Sequence, residues 1–366
     1  MMKKILALIL CLFMLATLVA CGAETTPEQT EGQTTNQTEG QPEQTEAEYK
    51  LGMGVVVNTD SSKTGNAQID ATVAAVVTDK DGKIVSCRID VAQNKMNVTD
   101  GAVETDLEFK TKMELGDDYN MAKYGTPNVE GGTVKEWYVQ TKAFEEYVVG
   151  KTAAEVEAIE LQEVNAHQIA VDETLLSAGC TMQITDFMAA VVKACNDEQG
   201  TTFKTAETFT LGVAANTTVD SATKAATADG DGTVAMYTDF ACAVVINNTV
   251  AASLNDAIQP KITINVAGEI VEAAFKGTKR ELKEDYNMAA YGTPNVEGGT
   301  VKEWYIQSAA FSAHVVGMTA DQIKGMETKE VNAHLISTDE ALLSAGCTMQ
   351  ITGICDVVAK SVTNAR

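Results

Sequence analysis

Two short stretches of the chain place a hydroxyl where it could do chemistry: Ser177-Ala-Gly-Cys-Thr181 and Ser344-Ala-Gly-Cys-Thr348. Each runs on through Met-Gln-Ile-Thr into an apolar helical pattern that starts near Thr185 or Thr352. A hydroxyl at a small-residue turn is reachable, and Gly179 or Gly346 lets a bulky group approach the backbone. The helix start adds free N–H groups and the positive end of a dipole, which suit a phosphate. The plain alternative is a turn that only leads into a helix. Cys180 and Cys347 stand beside these threonines, either as small packing residues or as thiols for redox partnership or an interdomain disulfide. His167 and His334 recur in matching Val-Asn-Ala-His segments, a pattern that most often marks a hydrogen-bonded surface or strand histidine.

Several chemistries are excluded. No Gly-x-Ser-x-Gly elbow supports a serine hydrolase. No Cys-x-x-Cys pair or Cys/His cluster has zinc spacing. With 27 Lys plus Arg against 51 Asp plus Glu, the net charge of −24 repels phosphate backbones, and no basic stripe offsets it, so nucleic acid is not a partner.

The elements that must carry these residues occur twice. Asp118 to Ala122 and Tyr124 to Tyr138 return as Asp285 to Ala289 and Tyr291 to Tyr305, and the register holds through His167/His334 and Leu175–Thr185/Leu342–Thr352. Upstream, Asp90, Gln93 and Lys95 correspond to Asp256, Gln259 and Lys261. So long a period implies tandem domains rather than a solenoid, as do 366 residues with 45% apolar content. Ala71–Val77 and Lys83–Val91 read as strands joined by the turn Asp79-Lys-Asp-Gly82. Thr133 with Glu136 reads as a capping box for a helix burying Trp137, Thr141, Phe144 and Val148. A short helix follows Thr152, and Thr185 and Thr352 read as caps of the last helix of each copy.

At the N-terminus, Lys3 and Lys4 precede an apolar run too short to span a membrane, which reads as a signal peptide. It ends in Leu18-Val-Ala-Cys21, which resembles the bacterial lipobox; Cys21 is the expected lipidation site. Acyl chains contribute about 0.8 kcal/mol per buried methylene, so lipid on Cys21 would anchor the protein outside the cytoplasm. Residues 22–48, rich in Glu, Gln, Thr and Gly, read as a disordered stalk.

The Ser-Ala-Gly-Cys-Thr motif before an apolar helix, with paired strands and a Trp-bearing helix upstream, resembles the FMN-binding domain family of bacterial membrane-associated flavoproteins. The resemblance implies a covalent phosphoester from FMN to Thr181 and to Thr348, made by a flavin transferase. Three departures stand out: Cys180 or Cys347 replaces the family's Ala, its Ser-Gly pair is spread to Ser-Ala-Gly, and its upstream acid is Leu175 or Leu342. In this frame the loop Tyr124–Gly132, repeated at Tyr291–Gly299, would form a second pocket wall. Gly131, Gly132, Gly298 and Gly299 would lie near ring or phosphate, although Trp137 also reads as core. The expectation is an α+β chain of two tandem FMN-binding-like domains, 49–197 and 206–366, each folding alone as a small antiparallel sheet packed with helices, after a lipoprotein signal (1–21) and the stalk. Its function would be electron carriage between a membrane reductase and an outside acceptor. The alternative is a non-redox surface or solute-binding lipoprotein whose domains lack flavin.

Overall fold

A computed structural model describes residues 46–366; the signal, Cys21 and the stalk up to residue 45 lie outside it. The fold is α+β. In the first copy, strands β1 (Ala47–Asn58), β2 (Asn66–Asp79), β3 (Ile84–Thr99) and β4 (Ala102–Val103) form an antiparallel meander. After it come α1 (Lys112–Leu115), α2 (Met121–Tyr124), α3 (Trp137–Tyr147), α4 (Ala153–Glu157), the hairpin β5 (Leu161–Val164) and β6 (His167–Ala170), α5 (Glu173–Ala178) and α6 (Thr185–Cys195). The strand β7 (Thr201–Thr205) then pairs with β1. The expected stalk therefore gives up its last two residues to β1, and the expected linker 198–205 contains a strand.

The second copy repeats this plan: β8 (Thr210–Val219), β9 (Gly232–Ile246), β10 (Thr249–Ile258), β11 (Lys261–Ile264) and β12 (Ile270–Ala274), followed by α7 (Lys279–Leu282), α8 (Met288–Tyr291), α9 (Trp304–His314), α10 (Ala320–Lys324), β13 (Thr328–Val331), β14 (His334–Ser337), α11 (Glu340–Ala345) and α12 (Thr352–Thr363). Both β10 and β11 pair with β9, so together they are the counterpart of β3, interrupted at Pro260. Proline has no N–H for the ladder, which accounts for the break.

The strands are buried on both faces because side chains alternate along them. Leu51, Met53 and Val55 of β1 and Val73, Ala75 and Val77 of β2 join Leu211, Val213, Cys242 and Val244 of the second copy in one shared core between the two sheets. The opposite faces carry separate cores: Val76, Ile89, Phe144 and Val191 under the first copy's helices, and Ala243, Phe311 and Val358 under the second's. Helices, sheet, sheet and helices thus stack as layers, and the described residues form one compact unit. Gly52 and Gly212 are needed where the last helices lie on the sheets, since a Cβ there would fall on the Ala194 or Ser361 carbonyl.

The hairpin turn forms as read: Asp79 Oδ1 accepts from Asp81 N and Lys83 N, both at 2.9 Å. Three expected caps are corrected. The helix expected from Thr133 begins at Trp137, and the Glu136 carboxylate accepts instead from Met121 N at 2.9 Å and Ala122 N at 3.2 Å, capping α2. Thr185 and Thr352 are the first residues of α6 and α12, behind Ile184 and Ile351, and neither end has a side-chain cap.

Candidate functional site

Each copy holds a cleft where its sheet, α1 or α7, the Tyr-Gly-Thr-Pro-Asn loop and the last helix meet. The first has a volume of about 320 Å³ and the second about 480 Å³, within the range of small-molecule sites. Thr181 lines the first and Thr348 the second, and both are half-buried.

The threonines are positioned from two sides. Gln140 on α3 is fully buried; its Oε1 accepts from Thr181 N at 2.9 Å and lies 3.4 Å from Thr181 Oγ1, while its Nε2 donates to Lys135 O at 2.8 Å. Gln307 does the same for Thr348, accepting from its N at 2.8 Å. From the loop, Asn128 Nδ2 donates to Thr181 O at 2.9 Å, and Asn165 in the β5–β6 turn donates to Asn128 Oδ1 at 3.1 Å. Asn295 and Asn332 repeat both contacts.

Lysine and aromatic rings form another wall. Lys112 Nζ lies 4.9 Å from the Tyr119 ring centroid and 5.7 Å from that of Trp137. Lys279 is buried and lies over Tyr237, Tyr286 and Trp304 at 4.5, 4.7 and 5.4 Å, and it donates to Tyr237 Oη at 3.1 Å. Such cation–ring contacts are most favourable when desolvated. The lysine-bearing turns hang from buried aspartates: Asp90 Oδ1 accepts from Met113 N at 3.1 Å, and Asp256 Oδ1 from Arg280 N at 3.0 Å. Burial pushes both carboxyls up to about 6, against the opposing hydrogen bonds.

The acids differ between the copies. Asp90 faces Val73 and Asp256 faces Phe240, so Asp70 corresponds to Tyr237 and Thr72 to Asp239. The first cleft has Asp70 and Asp186; burial, then Asp70, pushes Asp186 up, while Lys112 opposes. In the second cleft Gly353 stands at the place of Asp186, and a Cβ there would lie 2.7 Å from Asp239 Oδ2. The first cleft thus takes carboxylates from both β2 and α6, and the second takes its lining carboxylate from β9. Burial pushes Asp239 upward and Lys279 downward, and the two oppose each other's shift. Asp70 Oδ1 and Asp239 Oδ1 are buried without a hydrogen-bond partner among the described residues.

The remaining expected residues sit as follows. His167 and His334 are exposed and line the clefts. Cys180 and Cys347 are buried in the helix-side cores, and burial pushes both thiols up to about 12; they pack rather than react, and both are free. Gly179 and Gly346 end α5 and α11 in the left-handed region, and the space beside them is filled by Lys135 and Lys302. Gly131, Gly132, Gly298 and Gly299 are outside the cleft walls, which take Gly125 and Gly292 from the same loops. Trp137 and Trp304 are both core and cleft wall. The lysines, Gln140/Gln307 and the acids were not singled out from sequence; recurrence of Thr-Lys-x-Glu-Leu and of the helix glutamine was the available signal.

The chain matches no protein-family model, no curated protein and no solved structure. Among the described residues, no helix is long and apolar enough to cross a membrane, and no cluster of side chains could hold a metal ion.

Proposed function

We propose that the protein is a lipid-anchored, extracytoplasmic electron carrier whose two clefts each hold an FMN esterified to Thr181 or Thr348. The observation that carries this reading is the pairing of each threonine with its own lysine, tyrosine and tryptophan in a cleft of small-molecule size. The residues fit the group: a hydroxyl for the ester, an ammonium for negative charge, aromatic rings for a flat ring system, and an unpartnered carboxylate oxygen for a ligand donor. Gln140 and Gln307 fix the acceptor backbone and keep the hydroxyl within the cleft. Bound FMN would supply the electron uptake and release, and the protein the attachment, orientation and electrostatics. A flavin transferase would load the chain, a membrane reductase would serve as donor, and lipid on Cys21 would hold the carrier at the membrane.

One observation favours the non-redox alternative. In the first cleft two carboxylates, Asp70 and Asp186, face a single lysine, Lys112, which suits a neutral or cationic solute better than a phosphate.

Mass spectrometry of the exported chain co-expressed with a flavin transferase separates the two. The wild type is expected to gain two FMN phosphoesters, Thr181→Ala or Thr348→Ala to lose one each, and the double variant both. A colourless chain of unmodified mass beside an active transferase would replace this reading with the solute-binding one.

A further inference from the structure

Each cleft's lysine-bearing turn also meets a lysine of the other copy. Lys112 opens α1, which is closed by a capping box: Glu114 N donates to Thr111 Oγ1 at 3.2 Å, and Thr111 N to Glu114 Oε2 at 2.9 Å. The other oxygen of Glu114 holds Lys360 Nζ, from α12 of the second copy, at 2.7 Å. In the second copy Glu281 caps the turn that carries Lys279, through Thr278, and its Oε1 holds Lys193 Nζ, from α6 of the first copy, at 2.8 Å. Lys193 and Lys360 are seated alike on their own sheets, donating to Val55 O at 2.9 Å and Ala215 O at 2.8 Å. Moreover, α6 starts in the wall of the first cleft with Asp186 and Phe187, and α12 in the second with Gly353 and Ile354.

We propose that the two clefts form a reciprocally braced pair, in which Lys360 is a positioning residue for the first cleft and Lys193 for the second. An isolated surface ion pair contributes little. These two are joined to helix caps and strand carbonyls, and they recur in the crossed manner of an isologous interface, where residue i meets j and j meets i. Either helix therefore links one cleft to the lysine of the other, and an anionic aromatic ligand in one cleft meets a lysine whose turn the opposite copy fixes. The ligand class rests on the FMN reading; the brace is a property of the chain alone.

The protein has two tryptophans, Trp137 in the first cleft and Trp304 in the second. Full-length, flavin-free chain labelled with 5-fluorotryptophan gives two ¹⁹F resonances, one per cleft, assignable with Trp137→Phe and Trp304→Phe. Lys360→Met is expected to shift the Trp137 resonance and leave Trp304 in place, and Lys193→Met to shift Trp304 and leave Trp137. Glu114→Gln and Glu281→Gln should reproduce the respective shifts, and Lys360→Arg or Lys193→Arg should restore the wild-type position. If a methionine variant fails to fold by circular dichroism, the near-isosteric glutamine variants carry the same test. Shifts confined to the mutated lysine's own copy, equal shifts in both, or none would overturn the brace. Crossed shifts in a chain that never takes up covalent flavin would leave the brace standing and overturn only the cofactor reading.

Discussion

Gln140 and Gln307 are wholly buried, and each satisfies three groups at once: the cleft threonine's N–H, a main-chain carbonyl before α3 or α9, and a methionine sulfur. Replacing either by leucine keeps the volume but strands a donor and an acceptor. Gln140→Leu should therefore cost roughly 1–3 kcal/mol, read from a urea midpoint, and lower flavin loading at Thr181 while leaving Thr348 loaded. Equal loss at both threonines would mean that the glutamine acts only through global stability.

At the scale of elements, the caps separate sharply. Thr152 closes a full capping box on α4 with Glu155, whose carboxylate accepts from Thr152 N at 2.7 Å. Thr152→Ala should cost about 1 kcal/mol. Thr185→Ala and Thr352→Ala remove no cap and should stay within about 0.5 kcal/mol. A denaturant series on the three variants checks the order. Gly52→Ala belongs to the same scale, because its methyl would push α6 off β1; about 1–3 kcal/mol of overpacking is expected, visible as a lowered midpoint without a change in fold.

For the molecule as a whole, the shared core between the sheets ties the copies together. A first copy cut at residue 197 would expose Leu51, Met53, Val55 and Val73, and would also lose β7, with Phe203 of the shared core. Such a fragment should self-associate or co-assemble with the second copy in sedimentation experiments; a stable folded monomer would argue for independent domains. The buried acids make stability depend on pH. Burial holds Asp90 and Asp256 near 6, above the usual carboxylate value, so the folded chain binds their protons more tightly than the unfolded chain. This contribution is present below about pH 4 and lost as pH rises through about 6, of the order of 1–3 kcal/mol per group. The net charge of −24 acts in the same direction. Hydrogen bonds and charge partners hold Glu114, Asp172 and Asp339 below their usual values, so stability also falls in strong acid. The urea midpoint should therefore be higher near pH 5 than near pH 8, and Asp90→Asn should flatten the slope. A midpoint that rises from about pH 5 to 8 would show the opposite sign.

The sequence by itself determined what depends on near neighbours. Alternating β-branched residues and Asp79–Gly82 fixed the long hairpin, Thr152 with Glu155 fixed a cap, and the Trp137–Phe144 spacing fixed a buried helix face. The repeat fixed two equivalent positions for Thr181 and Thr348. Glu136 was misread as a local cap because its partners, Met121 N and Ala122 N, lie 15 and 14 residues back in the chain. Lys112, Lys279 and Asp239 became cleft residues only through strand register and the hanging of α1 and α7 from Asp90 and Asp256. The shared core was likewise left to tertiary structure: strands apolar on both faces show that both are covered, but not that the second cover is the other copy. The crossed Lys–Glu braces join residues 88 and 246 positions apart, and no periodicity reaches that far, since only the packing of sheet on sheet brings those helices within a hydrogen bond of each other.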